Sequence, residues 1–187
     1  MKWVVEFTVL SLVCSLFSGY AAFAQSATLP FTEDFEGATP LSQSFWTVTG
    51  TNDFRTQVTS ADGPHGGTFH ATMDVSVDGG TFSRNELTLT VDLASASNVV
   101  LSFWARGFDE ESDGPPPFGF VGGADFDGVA ISDDGMKWYE IADLRDPGNL
   151  SNSYSQITVN LDQEIFLRSI PVSFNSTFRI RFNQFDN

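Results

Sequence analysis

The residues in this chain that could do chemistry are acids, a few aromatic rings and a handful of arginines. Glu33-Asp34-Phe35-Glu36 sets three carboxylates within four positions. Acid/base hydrolysis of a glycosidic bond by the retaining route needs two carboxyls about 5 Å apart across a cleft. If this segment is extended, Asp34 and Glu36 share one face and Glu33 opposes them, and no second segment supplies a facing partner. Asp125-Phe126-Asp127-Gly128 has the opening of a calcium loop, but lacks the later ligands and the terminal Glu of an EF-hand, so it reads as a turn entering a strand. No G-x-S-x-G, no H-E-x-x-H and no cysteine nucleophile is present, and His65 and His70 are the only histidines. The expectation is a domain with no catalytic residues.

Binding is the other chemistry on offer. Sugars are held by flat aromatic rings together with groups that exchange hydrogen bonds with hydroxyls. Trp104 falls out of register with Val99, Leu101 and Phe103, so it points to the opposite face of its strand. Trp138 and Tyr139 follow a turn, and their adjacency requires one of them to face outward. Arg106, Asn183 and Gln184 could add polar contacts. The ligand-binding candidates are therefore Trp104, Arg106, Trp138 and Tyr139. The competing reading is that both tryptophans pack under loops or a second sheet.

Short strands must position these groups. Two-residue alternation runs through Glu86–Asp92, Val99–Ala105, Ile157–Leu161 and Phe178–Asn183. Asp133-Asp134-Gly135 joins Gly128–Ser132 to Lys137–Ala142 as a hairpin. Asp62-Gly63-Pro64 and Asp78-Gly79-Gly80 punctuate other links. Asp109–Gly123, with three prolines and four glycines, reads as a long surface loop. Asp162–Ser169 is the single helical candidate, a short one. The pattern predicts an all-β fold of half-buried antiparallel strands, a two-sheet β-sandwich.

The N-terminus reads as an export signal. Lys2 supplies a positive start, Val9–Phe17 is apolar, and Ala22-Phe23-Ala24 places a cleavage point at Ala24/Gln25. The domain plan is therefore a leader over residues 1–24 and one domain over 25–187. The apolar run is too short to span a bilayer, which takes roughly 20 residues. Val13 before Cys14 argues against a lipoprotein. The expected location is secreted or at the cell surface, extracellular or periplasmic. Cys14 is the only cysteine, so the domain after cleavage has no disulfide. Lys2 and Glu6 cancel, which leaves the formal charge of −15 on the remainder. Such acidity excludes nucleic acid as a partner, because that needs Lys/Arg patches.

The order of segments resembles the MAM domains and their bacterial jelly-roll (concanavalin A-like) relatives. Leu29–Gly37 (LPFTEDFEG) is similar to their opening strand, Phe45-Trp46 to the early tryptophan, and Asp62–Val75 to a Gly-Pro loop leading into a strand. Glu86–Leu93 with Asn98–Gly107 looks like the paired core strands, Phe126–Ile141 like the central hairpin, and Ser176–Asn187 like the penultimate strand. The resemblance departs from the family in having no disulfide-forming cysteines and no closing strand after Asn187, so the final strand is expected to be missing. It implies a jelly roll and a structural Ca2+ ion, for which the matching residues are Asp34, Glu36 and Asp62, with ordinary strand-edge acids as the alternative. It also implies a recognition or adhesion role toward a glycan or a surface protein. A jelly-roll glycoside hydrolase, or an accessory module of a larger surface-anchored protein or exported hydrolase, is the alternative.

Overall fold

The computed structural model describes residues 3–7, 25–37, 41, 45–77, 82–108, 113–145 and 150–186. Most of the leader, the Asp78-Gly79-Gly80 turn, the start of the long loop and Asn187 lie outside them. In chain order the elements are β1 (Trp3–Phe7), β2 (Trp46–Asn52), β3 (Phe54–Thr59), β4 (His70–Val75), β5 (Ser83–Val91) and β6 (Val100–Ala105). There follow β7 (Phe120–Val121), β8 (Gly128–Ser132), β9 (Lys137–Asp143), β10 (Ser155–Asn160), α1 (Leu161–Leu167) and β11 (Phe178–Asp186).

The fold is all-β with one short helix. One sheet has the order β10-β6-β1-β4-β3 and the other β2-β5-β11-β8-β9-β7, and the paired strands are antiparallel. Alternation explains why these segments became strands. Leu87, Leu89 and Val91 of β5 and Phe178, Ile180 and Phe182 of β11 point into a shared core, while Glu86, Thr88, Thr90, Arg179, Arg181 and Asn183 take the other face. From the opposite sheet Met73, Leu101, Phe103 and Ala105 fill the same core. Phe182 sits at the join: its ring meets Phe103 edge-on at 5.1 Å and Trp46 at 6.4 Å. Burying each such ring contributes about 1.5–3 kcal/mol, and the interlocking of the two sheets rests on these contacts.

The helix follows β10 directly. Asn160 caps it, its side chain accepting from Gln163 N at 2.9 Å, and Asp162 and Glu164 lie in the first turn where the helix dipole favours acids. Asp162 also accepts from Val99 N at 2.7 Å, tying the helix to the start of β6.

Leu29–Gly37, expected as an opening strand, is irregular and turned instead. Ala27 makes an isolated bridge to Val91, and Phe35 adopts φ 61° with its ring buried. Driving that ring into the core breaks the alternation that a strand would need. Residues 3–7, within the segment expected as a leader, form a strand. β1 pairs with β4, Trp3 opposite Met73 and Val5 opposite Ala71, and with β6, Glu6 opposite Trp104.

Candidate functional site

The outer face of the β2-β5-β11-β8-β9 sheet is where polar groups gather. Register sets them in rows: Thr47 opposite Thr88, Thr88 opposite Arg181, and Arg181 opposite Ala130. The next row runs Thr49, Glu86, Asn183 and Gly128. Two things happen on this face, a strap at one end and a groove at the other.

The strap is residues 119–127, which run from the end of the long loop into the turn before β8. Arg181 Nη1 donates to Gly122 O at 2.8 Å, Asn183 Nδ2 donates to Ala124 O at 3.2 Å and Phe126 O at 2.6 Å, and Arg84 Nη1 donates to Asp125 at 3.0 Å. Asp127, fully buried, accepts from Phe185 N at 2.8 Å. Under the strap Phe120, Phe126, Ala130 and Trp138 form a second, small core. Both Asp125 and Asp127 thus hold protein groups, in keeping with a turn entering β8.

Arg181 is the pin between strap and sheet. It is 8% exposed, its guanidinium lies 3.7 Å from the centre of the Trp138 ring, and it pairs with Glu86 at 3.2 Å. Burial pushes it below the ordinary arginine value and the Glu86 charge opposes that shift. Glu86 is held in turn by Thr49 Oγ1 at 2.7 Å and by Arg84 at 3.2 Å. A buried pair this well supplied with hydrogen bonds fixes geometry more than it adds stability.

Beside the strap lies a groove of about 420 Å³, lined by Thr47, Thr49, Thr88, Thr90, Trp138 and Arg179 among others. Thr47 and Thr49 are exposed and Thr88 and Thr90 are buried, so the hydroxyls step down from rim to floor. Arg179 rests against the hairpin turn at Gly135. A Cβ there would collide with its guanidinium, and the turn itself needs φ 73°, so glycine is required twice over. The turn is built by Asp134, whose carboxylate accepts from Met136 N at 2.7 Å and Lys137 N at 2.9 Å; these amides hold it below the usual aspartate value.

The binding candidates read from the sequence are divided by the fold. Trp138 and Tyr139 do lie on opposite faces of β9, but neither is exposed: they are 1% and 3% accessible. The expectation that one would face solvent fails because the strap covers Trp138, and Tyr139 is in the main core. Trp104 and Arg106 belong to the other sheet. As expected, Trp104 opposes Leu101 and Phe103 across β6, but His65 stacks on its ring at 4.0 Å. Arg106 lies 4.6 Å from the rings of both Phe108 and Tyr154 and donates to Gly63 O at 3.1 Å. These side chains pin the 62–66 loop to its sheet. Asn183 holds the strap, and Gln184 is buried against Asn85 at 2.6 Å.

The acids expected to hold calcium are likewise engaged with protein. Glu36 Oε1 accepts from Thr68 N and Phe69 N, both at 2.7 Å, and these amides keep its pKa below 4.5. Asp34 accepts from Glu36 N at 3.0 Å, and Asp62 sits at φ 63° in the loop that Glu36 clasps from its far end. Glu33, the third acid of the run, accepts from Phe35 N and from Trp46 Nε1 at 3.1 Å. Calcium takes six to eight oxygens, and among the described residues no group of three or more His, Cys, Asp or Glu could hold a metal ion. Asp34, Glu36 and Asp62 as placed do not fit a calcium shell.

The groove itself was not legible beforehand. Its walls are threonines, which in sequence read only as the polar half of an alternating strand. The signal that could have exposed it is the alignment of Thr47/Thr49, Thr88/Thr90 and Arg179/Arg181, three two-residue repeats that must share a face once the strands are side by side. No protein-family model, curated protein or solved structure matches the chain.

Proposed function

We propose that this is an exported, non-catalytic recognition domain of the jelly-roll kind, and that it binds a hydroxylated ligand, a glycan, in the groove on the outer face of the β2-β5-β11-β8-β9 sheet. The observation that carries the reading is the lining of that groove: rows of threonine hydroxyls and two arginines, with no carboxylate, thiol or histidine among its walls. Hydroxyls that both donate and accept suit a polyhydroxylated partner, whereas a hydrolase would need a pair of acids there. The groove is built on paired strands and the hairpin turn at Gly135, so it is preformed, which lowers the ordering cost of binding. The order of segments, similar to that of MAM-like domains of exported proteins, supports the jelly-roll and surface-recognition parts of the reading.

The test is a glycan-binding screen of the purified protein with a blocking variant, Thr47→Trp, at the exposed rim. Glycan binding lost on Thr47→Trp with an unchanged melting temperature is the expected result. Binding unchanged by this substitution moves the site elsewhere, and turnover of any polysaccharide that is abolished by Glu36→Gln replaces recognition with hydrolysis.

A further inference from the structure

Resting on the reading of the groove as the recognition site, we infer that its ligand is an acidic sugar chain and that Arg179 is the anchor for its carboxylate. The chain has 24 acidic and 9 basic residues, yet two of those nine, Arg179 and Arg181, line this one groove and no acid does. The two arginines differ in what they already hold. Arg181 is matched by Glu86, covered by Trp138 and bonded to the strap. Arg179 is half-buried against Gly135 and makes no ion pair among the described residues. A guanidinium presents its N–H groups as a planar fork that fits a carboxylate in two parallel hydrogen bonds. Thr90 lies opposite Arg179, and Thr47 and Thr177 line the same groove with their hydroxyls.

The net charge of the protein opposes a polyanion, and distance decides which effect prevails. At about 0.1 M salt the Debye length is about 10 Å. The remote acids are screened over that range, while a carboxylate in contact with Arg179 is not. A specific short-range pair on a repelling body gives selectivity for a ligand whose carboxylate can reach the guanidinium.

The experiment is calorimetric titration of the full chain with three probes: an oligogalacturonate, a sulfated oligosaccharide of similar length, and a neutral cello-oligosaccharide. Each is run against wild type, Arg179→Gln, Arg179→Lys and Thr47→Trp. The expected result is oligogalacturonate bound at least about tenfold more tightly than the neutral probe, that preference lost in Arg179→Gln and reduced in Arg179→Lys, and all binding lost in Thr47→Trp. Equal binding of acidic and neutral probes, unaffected by Arg179→Gln but lost in Thr47→Trp, overturns the acidic-sugar inference and leaves the groove standing. Tighter binding of the sulfated probe than of oligogalacturonate overturns the carboxylate assignment. Binding indifferent to Thr47→Trp, or no binding of any probe, overturns both.

Discussion

At the scale of single residues, the side chains whose types suggested chemistry are mostly used to hold loops. Glu36 is the clearest case. Two backbone amides from Thr68 and Phe69 converge on one of its oxygens, which favours the charged carboxylate. Its folded pKa is lowered, so the unfolded chain binds the proton more readily. The clasp therefore contributes stability above the ordinary value of 4.5 and loses it as pH falls through the lower folded value. Glu36→Gln should lower the melting temperature at pH 7 and leave a gap to wild type that narrows on acidification, as read by thermal melts between pH 7 and pH 3. A gap that is constant with pH would mean the amides do not favour the charged form. The aromatic candidates tell the same story. Trp104 carries the polarity that alternation gives it, but alternation is blind to a loop such as 62–66 coming back to cover it.

At the scale of elements, strands were readable and their covers were not. β5, β6, β8 with β9, β10 and β11 fall where alternation and turn residues place them, and α1 lies where the one helical period suggested. These are local signals, carried by neighbours two or four apart. Leu29–Gly37 turns at Phe35, whose ring is buried toward Trp46 on β2, a tertiary contact that alternation does not encode. The strap is a long-range feature of the same kind: its sequence is glycine-rich and reads as loop, and what fixes it are Arg84, Arg181 and Asn183 on distant strands. Asn183→Ala removes two hydrogen bonds to strap carbonyls and leaves the inward face of β11 intact. It should cost about 1–3 kcal/mol in strap opening, seen as faster amide exchange over residues 119–127 with little change in β5 or β8. Uniform loss of protection across β11 and its neighbours would show instead that the strap and sheet unfold together.

At the scale of the whole molecule, the all-β antiparallel class was legible because alternation recurs in segment after segment with turns between them. The groove was not, because it exists only between strands brought together from residues 47, 88 and 179. The position of β1 belongs to this scale too. Neighbouring strands lie about 4.8 Å apart, so taking away a strand between two others leaves a gap of about 10 Å. Cleavage at Ala24/Gln25 and release of the leader would do that to β4 and β6, which both run antiparallel to β1 and hence parallel to each other. If they closed together they would have to form a parallel pair, with slanted bonds where there had been perpendicular ones. Removal of residues 1–24 would then take out the strand that joins β4 to β6. The full chain and a chain starting at Gln25 should differ at Ala71–Met73 and Phe103–Trp104, whose amides exchange faster in the shorter protein and slow again when a peptide spanning Lys2–Thr8 is added back. Equal protection in the two forms would mean the sheet reseals itself without that strand. In the first case the shorter chain has, between β4 and β6, an open place for one extended strand.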